Sequence, residues 1–442
     1  MSLDLLNKMN GATCSCGKKH TYSGIVYTGH GVVCKLPEVI SSLHCKKVFL
    51  LADKNTFYAA GTAVCDILNN AHIPYNQYIY TNDTVEPDEH SVGSAFMHFD
   101  SSCDIIVGIG SGVINDIGKI LSLHTGKSYI IVATAPSMDG YASASSSMTR
   151  DGLKISLPTR SADVIIGDTD ILCQAPLHMM KSGLGDMLAK YVSICEWRIS
   201  NLITGEYYCE EIANLIRTAV KCCVTNAPKL LQRDPVAVQA VFEGLVIGGV
   251  AMNYAGLSRP ASGVEHYISH IIDMRAVEFG STTDLHGIQC AIGTLIAVRM
   301  YEKLQKITPD ANKAMTYVEG FDFTAWGQHL HALLGNGARA MIAQEEKEQK
   351  YNLTSHKQRF AFISKNWDRI LQILTEELPA SKQLEDLLNS IKAPLSLNYI
   401  GIDELLLPEV IKATKDIRDK YVLTRLLWDL GLLDEFAQEA IL

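Results

Sequence analysis

The sequence predicts an α/β domain with a parallel sheet over residues 1–175, followed by an all-helical domain over residues 176–442. Three observations predict it. From Lys47 to about Asp170, short apolar runs rich in β-branched residues alternate with amphipathic helical patterns. Those runs are apolar at every position, as strands covered on both faces are. After Leu177 the texture changes to long segments of helical period with few strand signals.

The strands come in order. Val48-Phe49-Leu50-Leu51-Ala52 stops at Asp53; Ile105-Ile106-Val107 runs into glycines; Tyr129-Ile130-Ile131-Val132 stops at Ala135-Pro136; Val164-Ile165-Ile166 stops at Gly167-Asp168. Between them, Thr56 to Ala71 and Asn115 to His124 read as crossover helices. Pro176 is placed to open the first helix of the second region. Helical spacing then covers Gly205 to Asn226, Val236 to Tyr254, Gly287 to Leu304 and Phe360 to Leu374, while the polar stretch Gln344 to Gln358 reads as an exposed helix and loop.

Composition narrows the function classes. The 442 residues are 47% hydrophobic and 20% charged, which excludes wholesale disorder. The formal charge of −9 lacks the basic footprint of a nucleic-acid binder. Apolar runs such as Gly244 to Met252 stop at Asn253, short of the ~20 residues a membrane helix needs, and Met1 to His20 has no apolar signal core. Cytoplasmic residence is therefore expected, without membrane or nucleic-acid partners. Twelve cysteines are too sparse for a secreted disulfide framework.

Four constellations could carry chemistry. The first is Gly108-Ile109-Gly110-Ser111-Gly112-Val113-Ile114-Asn115-Asp116, directly after a buried strand and opening a helix. Glycines admit a ligand close to the backbone, and a helix N-terminus offers unpaired N–H groups to a pyrophosphate. The spacing departs from G-x-G-x-x-G, since Val113 stands at the third glycine position, and Ile120 after Gly118-Lys119 departs from a P-loop. Asp53, ending the first strong strand, is suited to accept from ribose hydroxyls and to disfavour a 2′-phosphate, while acids at strand ends are also ordinary turn and cap residues. The second constellation, Thr134-Ala135-Pro136-Ser137-Met138-Asp139-Gly140-Tyr141-Ala142-Ser143, follows the next strand and should share its sheet edge; the serines Ser143, Ser145, Ser146 and Ser147 equally suit a plain polar loop.

The third combines Asp186 in Gly183-Leu184-Gly185-Asp186 with His266, His270 and His286. One carboxylate and two imidazoles suit a borderline divalent metal with open positions, and His266 and His270 share a helix face at i, i+4. Tyr267 stands where a H-E-x-x-H metalloprotease needs glutamate. The fourth, Cys14-Ser15-Cys16-Gly17-Lys18-Lys19-His20, offers three donors in seven residues; a closed site there needs a distant fourth ligand or another subunit.

With these residues in view, the sequence resembles the iron-containing alcohol dehydrogenase and dehydroquinate-synthase-like superfamily. Within it the sequence is most similar to the sn-glycerol-1-phosphate dehydrogenase family, including its AraM-like bacterial branch. The resemblance runs from about Tyr22 to Leu432 through Gly110 to Asp116, Thr134 to Ser143, Gly183 to Lys190, Ser262 to His270, Leu285 to Gly287 and Ile417 to Tyr421. It implies a Rossmann-like first domain and an active site in the cleft between the domains. It also implies metal- and NAD(H)-dependent interconversion of sn-glycerol 1-phosphate and dihydroxyacetone phosphate, with NADP(H) as the other dinucleotide. The alternative is an NAD-dependent polyol or glycerol dehydrogenase of the same superfamily.

By the same resemblance, Gly110, Ser111, Gly112, Asn115, Asp116, Thr134, Ser137 and Ser143 contact the dinucleotide, and Asp53 joins them by its strand-end position. Asp186, His266 and His286 hold one nickel, zinc or ferrous ion; Asp139, Asp186 and His270 touch the small phosphorylated substrate. Arg150, Lys154, Lys190 and Arg259 are candidate phosphate donors, and a homodimer is expected. Ser111 replaces the middle glycine common in the superfamily, which the loop tolerates if its φ is negative, and Cys14 to His20 lies outside the shared core.

Overall fold

The computed structural model describes residues 2–150 and 153–440. Two compact units emerge: Met1–Met187 with Asn214–Leu257, and Leu188–Ala213 with Ser258–Leu442.

The first unit is built on a six-stranded, wholly parallel sheet. Its strands are β1 (Ile25–Gly29), β2 (Val48–Asp53), β3 (Tyr75–Tyr80), β4 (Ile105–Gly110), β5 (Ser128–Ala133) and β8 (Val164–Asp168), ordered β1-β8-β5-β4-β2-β3. All four strands expected from continuous apolar runs are present. Their Val, Ile and Leu side chains are at most 1% exposed, each contributing about 1.5–3 kcal/mol by burial. The two strands that the sequence does not announce, β1 and β3, lie at the edges; β3 is Tyr-Asn-Gln-Tyr-Ile-Tyr and only Tyr80 is fully buried. An edge strand need not be apolar throughout, so the continuous-run signal fails there.

The serine run is also different from a plain loop. Ser145–Arg150 (β6) and Leu153–Pro158 (β7) pair as an antiparallel hairpin, with Ser146 and Met148 buried on one face. The crossover from β4 is the helix Gly112–Thr125. The crossover expected over Thr56 to Ala71 is a composite, with a π-helical turn at Phe57–Gly61 between Lys54–Thr56 and Thr62–Asn70.

The compact units depart from a boundary at residue 176. Most of the helix Leu177–Leu188 and the whole of Pro235–Ala255 belong with the sheet unit, because glycines on both let them close onto its loops. A Cβ on Gly183 would lie 1.9 Å from the Pro136 carbonyl oxygen. One on Gly249 would lie 2.9 Å from the Asp139 carbonyl oxygen. Pro235–Ala255 also corrects the hydropathy reading: its length and composition suffice to cross a membrane, but 72% of its apolar window is buried within the protein. It is a core helix.

The second unit is helical. Val264–Phe279 and His286–Leu304 pack together, and a Cβ on Gly293 would sit 2.8 Å from the Glu265 carbonyl oxygen, so only glycine permits this approach. The periodic segment Phe360 to Leu374 proves to be two helices, Leu353–Lys365 and Trp367–Glu377, broken at Asn366. The polar stretch before it is less exposed than expected, since Glu345 and His356 are buried.

Candidate active site

In the first unit the chain leaves β2 toward β3 but leaves β4 toward β5, so the strand order reverses between β2 and β4. Ligands of open parallel sheets bind beyond the C-terminal strand ends at such a reversal. Asp53 ends β2 and Gly110 ends β4. Gly110 pairs with Ala133 across the ladder, and Thr134 N donates to the Gly110 carbonyl at 3.0 Å, so both glycine- and serine-bearing loops leave the sheet at one level.

These loops are tied together. Ser111 and Ser137 hydroxyls hydrogen-bond, Tyr141 Oη donates to the Ala135 carbonyl at 2.6 Å, and the Tyr141 and Ser111 hydroxyls lie 3.2 Å apart. Ser111 adopts φ −116°, outside the positive-φ region that would demand glycine at this position. Its side chain does not cap the helix that starts at Gly112. Asn115 Nδ2 donates to the Gly140 carbonyl at 3.0 Å, while its buried Oδ1 has no partner among the described residues. The structure thus brings Gly110, Ser111, Gly112, Asn115, Thr134 and Ser137 to one strand-end crevice.

Three other expected dinucleotide residues have structural duties. Asp53 Oδ1 caps the following helix through Asn55 N (2.8 Å) and Thr56 N (2.9 Å). Asp116 pairs with buried Lys119 at 2.9 Å and accepts from Ser147 N at 3.2 Å; burial raises its pKa and Lys119 opposes the rise. Ser143 Oγ donates to the Ser145 carbonyl at 2.9 Å. Lys119 also donates to the carbonyls of Gly140 and Ser145, so this lysine after a glycine is a loop anchor.

Asp186 is wholly buried, and Asp139 N donates to its Oδ2 at 2.9 Å. Its helix is fixed by Ser182 Oγ donating to the Ser137 carbonyl at 3.0 Å and by the Gly183 contact. Two sequence-predicted acids therefore meet at the loop that also carries Ser137.

In the second unit, His266 and His286 have ring centroids 5.0 Å apart, and His270 lies 6.4 Å from His286. His266 Nδ1 is 2.8 Å from buried Glu265 Oε1, which also accepts from Gly263 N at 2.7 Å. A carboxylate accepts only, so Nδ1 carries the proton and Nε2 the lone pair. Ser269 Oγ donates to Gln289 Oε1 at 2.6 Å, and Gln289 Nε2 donates to Asp273 Oδ1 at 2.9 Å. Ser269 has spent its one proton, so it accepts from His286 Nδ1–H at 3.0 Å. Nε2 of His286 again holds the lone pair.

The ligand atoms of His266, His286 and Cys290 all lie within 4.8 Å of one another. This donor set, two neutral imidazoles braced through their far nitrogens, fits a borderline divalent metal. Glu265, Ser269 and Gln289 are the functional residues that sequence reasoning missed. Their only signal was position, beside or one turn from a histidine.

Behind this cluster, buried Glu196 accepts from Val264 N (2.9 Å), Leu423 N (2.8 Å) and Tyr301 Oη (3.1 Å), anchoring two helix N-termini. Burial and the neighbouring Glu265 charge push its pKa up to about 8. Arg259 is withdrawn from the phosphate candidates: it is 1% exposed and occupied by Glu206, Ser200 Oγ and the Tyr421 carbonyl. Lys420, quoted within Ile417 to Tyr421 without a role, stands out instead. It donates to the Ser262 carbonyl at 2.9 Å, and burial with the Arg259 and Arg418 charges lowers its pKa to about 7.

The broader class comes first: residues 27–176 match the iron-containing alcohol dehydrogenase family. The fold is similar to glycerol dehydrogenase from Schizosaccharomyces pombe (TM-score 0.60, 15% identity, 96% of this chain and 92% of that one). It is likewise similar to an NADH-dependent butanol dehydrogenase from Thermotoga maritima (TM-score 0.57, 14% identity, 94% and 97%). More specific are the relatives named glycerol-1-phosphate dehydrogenase [NAD(P)+]. That of Methanosarcina acetivorans is 30% identical over 72% of this chain and 92% of its own length. That of Halalkalibacterium halodurans is 26% identical over 93% and 94%. The chain belongs to the glycerol-1-phosphate dehydrogenase family.

Proposed function

We propose that this protein is a metal-dependent dehydrogenase interconverting sn-glycerol 1-phosphate and dihydroxyacetone phosphate with NAD(H). The observation that carries the reading is the directed hydrogen-bond set that leaves Nε2 of both His266 and His286 as lone-pair donors, in a chain of this family. Asp186, His266 and His286 would hold the ion. Nickel, zinc and ferrous iron all suit such ligands. When bound, the ion supplies Lewis acidity that lowers the pKa of the substrate's secondary hydroxyl or polarises the ketone.

The chain's own residues do the rest. The β4 and β5 loops hold the dinucleotide against the N-terminus of Gly112–Thr125, with Ser111 and Ser137 fixing the loop spacing. Hydride passes between the substrate's central carbon and the nicotinamide, and the hydroxyl proton leaves through Asp139 or His270, which also orient the hydroxyl groups. Lys420 supplies a cation for the substrate phosphate. A homodimer is the proposed assembly.

The test is NADH oxidation with dihydroxyacetone phosphate on chelator-stripped protein re-supplied with Ni²⁺, Zn²⁺ or Fe²⁺ separately, followed by stereochemical assay of the product. Metal-restored activity giving sn-glycerol 1-phosphate supports the reading, and the most active ion identifies the metal. Turnover of glycerol with none of dihydroxyacetone phosphate overturns the substrate assignment.

A further inference from the structure

We infer that Cys14, Cys16 and His20 form a second metal site, a structural one for zinc, which fastens the N-terminal segment to the end of the helix Pro235–Ala255. This goes beyond the proposed reaction and involves none of its residues. The segment folds as a tight knuckle: Thr13 and Lys19 form an antiparallel bridge, Cys14 N donates to the Lys18 carbonyl at 3.0 Å, and Gly17 N donates to the Cys14 carbonyl at 2.9 Å. Gly17 has φ +83°, so the turn between the second cysteine and the lysines requires glycine. Cys16 N points at Cys14 Sγ, 3.5 Å away, an amide placed to support a thiolate.

The histidine is oriented as a ligand. His20 Nδ1 is 3.0 Å from the Tyr254 carbonyl oxygen, which accepts only, so Nδ1 carries the proton and Nε2 the lone pair. That Nε2 is 3.4 Å from Cys16 Sγ. Zinc bonds of ~2.3 Å to sulfur and ~2.0–2.1 Å to nitrogen at a tetrahedral angle separate the two ligand atoms by roughly 3.5 Å. The observed 3.4 Å, also short enough for a hydrogen bond, fits two ligands sharing one ion. The donor atoms of Cys14, Cys16 and His20 all fall within 4.8 Å of one another. Cys14 and His20 are 5% and 3% exposed, which suits a solvent-shielded structural ion rather than one open to substrate.

The site would have a definite mechanical task. His20 packs its ring on Tyr254 at 5.5 Å, and Tyr254 is the penultimate residue of the core helix that backs the Asp139–Ser143 loop through Gly249. Asn10 brackets Tyr22 through its backbone N–H (2.7 Å) and carbonyl (2.9 Å), closing the segment on itself. A zinc ion would lock this knuckle, and with it the helix end.

The test is zinc stoichiometry and zinc X-ray absorption on the full-length protein, grown with zinc and washed with a mild chelator to empty the exchangeable catalytic position. One retained zinc per chain is expected, with at least two sulfur neighbours and an imidazole. Cys16→Ser and His20→Ala should lose that ion and lower the thermal midpoint, whereas Cys290→Ser should keep it. Cobalt substitution should give thiolate-to-cobalt charge-transfer absorption that Cys16→Ser abolishes and Asp186→Asn preserves, separating this site from the catalytic one. Wild-type protein with no retained zinc, zinc without sulfur neighbours, or full zinc retention in Cys16→Ser would overturn the proposal. If the variants do not fold, the wild-type absorption spectrum alone decides by its sulfur count.

Discussion

Gly183→Ala tests whether the Asp186 helix is positioned by contact with the dinucleotide loop. In an open helix this substitution should stabilise by about 0.8–1 kcal/mol through helix propensity. Here the new methyl would lie 1.9 Å from the Pro136 carbonyl oxygen and 2.8 Å from its carbon. Ordinary contact begins at 3.4 Å, so helix or loop must retreat by about 1.5 Å. A backbone carbonyl cannot rotate away as a side chain can. Overpacking of this kind costs about 1–3 kcal/mol, and at its upper end it exceeds the propensity gain. The expected net loss is up to about 2 kcal/mol, which over 442 residues at ~2.1 cal/mol/K each lowers the thermal midpoint by up to about 2 °C. The larger effect should be kinetic. Asp186 is one helical turn away and receives its hydrogen bond from the Asp139 amide on that same loop, and a displacement of about 1 Å at a reacting centre costs on the order of 10²-fold in rate. Thermal melts and NADH-oxidation kinetics should be compared with Gly93→Ala, whose methyl meets nothing within 4 Å and should gain stability at unchanged kcat. If Gly183→Ala melts and turns over like Gly93→Ala, the positioning argument is refuted.

Three further outcomes follow from the site. Asp186→Asn or His286→Ala should abolish turnover while NADH binding, measured by fluorescence titration, stays within about threefold; loss of NADH binding with metal retained would contradict the ligand assignment. Glu196, raised from 4.5 to about 8, binds more protons folded than unfolded in that window, so it erodes stability as pH rises from 4.5 toward 8. Glu196→Gln should flatten this slope in denaturant titrations, and an unchanged slope would show that Glu196 is not the titrating group. Lys420, lowered from 10.5 to about 7, loses its charge above neutrality, so KM for dihydroxyacetone phosphate should climb up to tenfold per pH unit above about 7. Lys420→Ala should raise KM at pH 6 and remove that climb; superimposable profiles would exclude Lys420 from phosphate binding.

The parallel sheet was legible because its central strands are apolar at every position, a pattern produced by burial on both faces. Edge strands β1 and β3, half-exposed and rich in polar and aromatic residues, carry no such pattern. Site residues were legible where chemistry demands a rare type at a fixed spacing, as with His266 and His270 on one helix or the glycines after β4. Their supports were not. Ser269 and Gln289 are ordinary helix residues until the fold sets them 2.6 Å apart and thereby fixes the His286 tautomer. Arg259 and Lys420 show the same divide, since both are basic residues near a motif and only the packing of Glu206 against one and Ser262 against the other separates their roles.

By itself, then, the sequence determined the chemistry available to this protein: which donors exist, which strands must be buried and where glycine loops meet helix starts. Tertiary structure decided which donors are spent internally, which nitrogen of each imidazole is left to bind, and which helices lean on the catalytic loops. The physical reason is range. Periodicity and motif spacing act over a few residues along the chain, whereas hydrogen-bond occupancy and close packing depend on partners that may lie a hundred or more residues away, as Asn253 lies from Ala142 and Glu196 from Leu423.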